Sequence, residues 1–171
     1  MGHPFLSLTA HVRMWLSVVT LVLTVVGMTV LRFEDPGRVN GKGTGIVGFE
    51  LAGSASRAKA ILESWGESGR KVAAFNLGFD YLFIVGYSTF MTLMCLWAST
   101  RYASPRLMIF GVFLAWMQWI AGLLDCTENV ALLRILFHEA LDSLAQIARL
   151  SALGKFGLLG CGAVYILLSL I

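Results

Sequence analysis

Residues 123–134 read LLDCTENVALLR and follow LMIFGVFLAWMQWIAGLL, a run apolar enough to lie in lipid. Asp125, Glu128 and Asn129 therefore fall where water is scarce. Two more ionisable groups share that setting, Asp80 in LGFDYLF and Lys155 in ALGKFG. A charged side chain at the centre of a membrane helix costs about 2.5–3.5 kcal/mol on insertion scales, so each needs a partner or a wet cavity. Lys155 has three candidate partners, Asp80, Asp125 and Glu128, and one ammonium cannot neutralise three carboxylates. At least one acid must share a proton, stay hydrated or meet a cation from outside.

Helical spacing supports a common site. Gln118, Gly122, Asp125 and Asn129 recur at intervals of four, three and four, which keeps them on one stripe, with Glu128 on its flank and Arg134 nearly opposite. Asn76, Asp80, Tyr87 and Met91 form a similar stripe one helix earlier. Ser17, Thr20, Thr24 and Gly27, and likewise Gly157, Gly160 and Gly162, are small residues that let membrane helices approach closely. The apolar runs imply depths of roughly 12 Å for Asp80 and 8 Å for Lys155 from one face, with Asp125 and Glu128 at the last apolar turn. The expected roles are Asp80 as the protonatable group, Lys155 as its charge partner, and Asp125 with Asn129 as an orienting wall. Glu128, Glu50, Asn76, Tyr87 and Gln118 complete the candidate set.

Three chemistries fit such a set. The first is a half-buried site for a proton, a cation or a small amphipathic ligand, with Tyr81, Tyr87, Trp116 and Trp119 available as an apolar wall. The second is a structural subunit in which the buried charges only clamp helices. The third is a carboxylate-metal enzyme using Glu50, Asp80, Asp125 and Glu128 as oxygen ligands. Against the third, no helical Glu-x-x-His pair occurs, and Asp142 stands where HEALD would need a second histidine to make H-E-x-x-H. GRVNGKGTG has three residues between Gly37 and Gly41, where a phosphate-binding loop needs four, and Gly43 follows the lysine in place of Ser or Thr. No Ser or Cys nucleophile with a neighbouring histidine stands in a recognisable motif. The sequence assigns no metal set and no cofactor; FELA, LGFDYLF and LLDCTEN are its least ordinary segments.

The elements that must position these residues follow from composition. The 171 residues are 57% hydrophobic and 13% charged, with mean hydropathy +0.77, which predicts a single membrane domain over 1–171. Four apolar runs give spans at 14–32, 72–98, 107–124 with a helical extension to 137, and 150–171. The expected fold is all-α, an antiparallel bundle of four transmembrane helices. STRYASPR makes the tight turn of a helical hairpin between the second and third spans. In the long first loop, 33–71, a glycine-rich irregular part precedes a helix that Ser54 or Ser56 caps and Gly66 stops. Its face of Ala58, Ile61, Leu62 and Trp65 suits the membrane interface or a position folded over the bundle.

The first apolar core runs on to Leu31 before RFEDP, as an uncleaved span rather than a signal peptide does, and Leu6 disfavours myristoylation. An even number of spans puts both termini on one side. Arg13, Arg101 and Arg106 favour the cytoplasmic side of a plasma (inner) membrane, while Arg32, Arg38, Lys42, Arg70, Lys71 and Arg149 pull the other way. The expected partners are the lipid bilayer and a small amphipathic ligand or cation, with a homodimer supplying the extra helices a transporter would need. The net charge of +3 is scattered without a basic block, which excludes nucleic acid as a partner. Cys95, Cys126 and Cys161 form no C-x-x-C pair and are expected to be reduced, buried fillers.

Overall fold

The computed structural model of the chain describes residues 2–39 and 43–171. Met1 and residues 40–42, which include Gly41 and Lys42 of the glycine run, lie outside them. A 3-10 turn at Pro4–Ser7 leads to α1 (Ala10–Phe33), α2 (Pro36–Val39), α3 (Ile46–Glu50), α4 (Ala55–Ser99), α5 (Pro105–Phe137) and α6 (Asp142–Leu168). No strand occurs among the described residues. The helices built on α1, α4, α5 and α6 are long and apolar enough to cross a membrane. Their outer faces keep large apolar side chains exposed, among them Val25 (56%), Ile109 (65%), Leu123 (63%) and Leu150 (68%). Such a surface needs apolar surroundings, and the chain is an integral, multi-pass membrane protein.

The helix ends follow local chemistry. The Thr9 hydroxyl accepts from the Val12 N–H at the start of α1, the Ser54 hydroxyl accepts from the Arg57 N–H at the start of α4, and Pro105 opens α5 where no N–H is needed. At the end of α1 the Asn76 amide donates to the Leu31 and Glu34 carbonyls at 3.1 and 3.0 Å, satisfying acceptors the helix itself leaves open. Gly66 has φ 61° and ψ −167°, a conformation essentially restricted to glycine, and it divides α4 into segments 55–65 and 67–99. The Arg70 side chain crosses the break and donates to the Leu62 carbonyl at 3.2 Å.

Packing runs α1 on α4, α4 on α5 and α5 on α6, with α6 also against α4; α1 and α6 meet at most marginally. Gly122 lets α5 come close to α4 on the polar stripe, where an added Cβ would lie 3.3 Å from Ser88 and 3.4 Å from Ile84. Two of the small residues expected to admit a neighbour do not: an added Cβ on Gly157 or Gly160 would meet nothing within 4 Å, so both face outward and only Gly162, against Gln118, abuts another helix. Cys95 is buried, but Cys126 is only half-buried and Cys161 is exposed, so burial describes one cysteine of the three.

The buried residues fall in three layers. At one end Phe49, Trp65, Leu77, Leu132 and Ile135 join α3, both parts of α4 and the end of α5 in an apolar core that also takes in Ala145 and Ala148 of α6. The Trp65 indole donates to the Thr44 carbonyl at 2.6 Å and meets the Phe49 ring edge-on. At the other end Cys95, Leu96, Leu114 and Tyr165 form a smaller cluster. Between the two lie the buried polar side chains Asn76, Gln118, Asp125, Glu128, Asn129 and Lys155.

Candidate functional site

Helix registers bring the polar side chains to one level. Asp80 follows the Gly66 break, Asp125 precedes the end of α5 at Phe137, and Lys155 follows the start of α6 at Asp142. At 1.5 Å per residue each stands roughly 18–21 Å from its helix end on the same side. The levels agree better than the apolar runs imply, because α6 begins at Asp142 rather than near 150. Its first two turns expose Asp142, Ser143, Gln146 and Arg149 along with Ile147, yet Ala145 and Ala148 face the core.

Lys155 organises the cluster. Its ammonium donates to Asp125 Oδ1 at 2.6 Å, lies 2.9 Å from Glu128 Oε2 off the line of a hydrogen bond, and is 3.9 Å from Glu50 Oε2. Asp125 is filled on its other oxygen by the Tyr87 hydroxyl, which donates at 2.7 Å. The side chains of Lys155, Asp125 and Glu128 are 7%, 4% and 0% exposed, so these contacts are almost unscreened by water. Glu50 arrives from α3, outside the long helices. Burial, the largest influence, lifts its carboxyl above the usual range; Lys155 opposes the shift, and the charges of Asp125 and Asp35 add to it.

Asp80 is bonded differently. Asp80 Oδ2 accepts from the Asn129 amide at 2.6 Å. Among the described residues no lysine, arginine or histidine nitrogen lies within 4 Å of it, whereas Lys155 is committed to Asp125 and Glu128. The clamp thus holds Asp125 and leaves Asp80 with an amide.

A half-open cavity of about 460 Å³ runs past these groups, within the range typical of small-molecule sites. Its polar end is lined by Arg32, Asp35, Glu50, Asp80, Asp125, Asn129 and Lys155, with Asn76 beside them. Leu31, Ile46, Val47, Leu77 and Phe156 are apolar neighbours of these groups, and further along the helices from α3 the wall is mostly apolar, with Met28, Phe83, Met91 and Leu159 beside the hydroxyls of Thr24 and Tyr87. The cavity wall draws on both α1 and α6, which hardly touch each other. The most exposed large apolar side chains on that wall are Met28 of α1, Val47 of α3 and Phe156 of α6, at 58%, 50% and 44%.

Eight of the nine candidate residues belong to this region, seven on the cavity wall or bonded to it and Glu128 directly behind Lys155. Asn76 lines the cavity while also capping α1. Gln118 is separate. Its amide donates to the Leu114 and Leu158 carbonyls, both at 3.2 Å, and ties α5 to α6 away from the cavity. Trp116 and Trp119 are also elsewhere, packed around His3 near the amino terminus. Sequence reasoning missed Arg32 and Asp35; the available signal was their position directly at the end of α1, opposite Asp80. Among the described residues, no group of three or more His, Cys, Asp or Glu side chains is arranged to hold a metal ion. The Lys155 ammonium itself stands amid Glu50, Asp125 and Glu128.

Comparison with protein-family models, with curated proteins and with solved structures found no match.

Proposed function

We propose that this protein binds a small amphipathic ligand in the cavity between α1 and α6. The observation that carries the reading is the cavity's own division into a charged end and an apolar end. A helix of 33 residues such as α5 is roughly 50 Å long, against a hydrocarbon core of about 30 Å. In an antiparallel bundle crossing the membrane, the surplus of α4, α5 and α6 would stand out on the side of α3, with the 55–65 helix along the interface. The charged end would then lie at the headgroup boundary and the apolar end nearer the midplane. That is the orientation of an amphiphile already dissolved in the bilayer, which reaches the site sideways. Arg13, Arg101 and Arg106 would hold both termini in the cytoplasm.

Photolabelling tests this. The protein is reconstituted in phosphatidylcholine vesicles and exposed to dodecylamine, dodecanol and dodecanoate, each carrying a terminal diazirine. At least one probe should label α1 and α6 peptides around Met28 and Leu159 saturably, and Leu159→Trp, which fills the apolar end, should abolish it. Labelling that rises linearly with probe and is unchanged in Leu159→Trp would leave no site. The clamp is the second reading, favoured by the pairing of Lys155 with both Asp125 and Glu128; on that reading no probe saturates.

A further inference from the structure

We infer that the ligand carries a positive charge, as an amine with a single apolar tail, and that Asp80 receives its head; the inference rests on the amphiphile site proposed above. Charge balance leads to it. Among the described residues, four carboxylates, Asp35, Glu50, Asp80 and Asp125, line the cavity with Arg32 and Lys155 as the cations beside them, and Glu128 adds a fifth acid next to Lys155. Lys155 is occupied, held 2.6 Å from Asp125 and 2.9 Å from Glu128. Asp80 has one neutral donor, the Asn129 amide, and no cation within reach among the described residues.

A second observation points the same way. Glu50 is 9% exposed and lines the cavity, and its Oε2 atom, 3.9 Å from the Lys155 ammonium, accepts no hydrogen bond. A buried carboxylate oxygen that accepts no hydrogen bond gains from an N–H donor brought to it. An ammonium supplies three N–H donors and one positive charge, enough to bridge the Asp80 and Glu50 sides of the polar end. A neutral alcohol brings one donor and no charge. A carboxylate or phosphate head would meet four acids with only Arg32 unpaired among the described residues. Directly beyond the polar end, Phe83, Met91 and Leu159 offer nothing to a polar group and an apolar wall to a tail.

The three photoprobes decide the class through their half-saturating concentrations. In the wild-type protein dodecylamine should label α1 and α6 at least tenfold more tightly than dodecanol, with dodecanoate weaker still, and D80N should bring the amine to the level of the alcohol. The charge assistance of one hydrogen bond corresponds to a change of about that size. Equal affinity of all three probes, a preference for dodecanoate, or an amine preference unchanged in D80N would overturn the cationic head while leaving an amphiphile site in place. Saturation by none of them would overturn both. Saturable dodecanol labelling of D80N serves as its folding control, and the wild-type ranking decides the charge class even if that variant does not fold.

Discussion

Replacing Lys155 by methionine keeps the volume and removes the charge that Asp125 and Glu128 share. Both carboxylates lie within 3 Å of the ammonium, at 2.6 and 2.9 Å, and neither side chain is more than 4% exposed. Breaking a buried pair by removing one partner destabilises a fold by about 3–5 kcal/mol, because the remaining charge stays desolvated. A second route gives the same size. A carboxylate of ordinary acidity can escape only by taking a proton, which at pH 7 costs about 4 kcal/mol, three units at 1.36 kcal/mol each. At pH 5 that falls to about 1.4 kcal/mol. A group forced to be neutral in the fold contributes stability at low pH that is lost as pH rises, so the deficit of Lys155→Met should shrink on acidification. Reversible unfolding in mixed detergent, followed by circular dichroism at pH 7 and pH 5, reads the difference from wild type at each pH. Adding Asp125→Asn and Glu128→Gln to Lys155→Met should recover most of the loss at pH 7. A deficit below about 1 kcal/mol at pH 7, or one of equal size at both pH values, would mean that the three groups are not the buried cluster described.

Three other perturbations test the surrounding architecture. Gly66→Ala forces a side chain into a conformation that only glycine tolerates, and should destabilise by about 1–3 kcal/mol in the same unfolding assay, whereas Gly78→Ala, where an added Cβ meets nothing within 4 Å, should not. Asn76→Leu leaves the Leu31 and Glu34 carbonyls without their donor and should cost about 1–3 kcal/mol, with faster amide exchange at the end of α1. The Glu50 carboxyl is held above its usual range chiefly by burial, with Lys155 opposing the shift and the charges of Asp125 and Asp35 adding to it. The packing of α3 should therefore be firmest below the ordinary glutamate value of about 4.3 and loosen as pH rises beyond it. Hydrogen exchange over residues 43–53, corrected for intrinsic rates, should show that trend in the wild type and lose it in Glu50→Gln; an opposite slope would contradict the burial of Glu50.

Much of the polar layer was legible in the chain because helical periodicity is a local property. The stripe through Asp125 and Asn129 needs only a helix, and α5 supplies one to Phe137. The choice of partner was not local. The sequence reading makes Lys155 the charge partner of Asp80, whereas the packing of α4 on α5 sends Asn129 to Asp80 and leaves Lys155 to Asp125. Gln118 shares the stripe of Asp125 but sits nearer the far end, where α6 approaches through Gly162 and takes up its amide. Depth differs for another reason: hydropathy marks where a helix is apolar on all sides, and the turns at 142–149 carry Asp142, Ser143, Gln146 and Arg149 outside while Ala145 and Ala148 meet the core. The role of Glu50 depends on α3 folding back over the ends of α4, α5 and α6, a long-range contact that no spacing in the sequence encodes.

Native mass spectrometry of the protein released from phosphatidylcholine nanodiscs equilibrated with dodecylamine tests the central claim most directly. One amine should be retained on each wild-type chain and none on Leu159→Trp, whose cavity is filled. A ladder of several adducts, the same on both proteins, would mean that the amine coats the apolar surface and that the space beside Asp80 holds nothing.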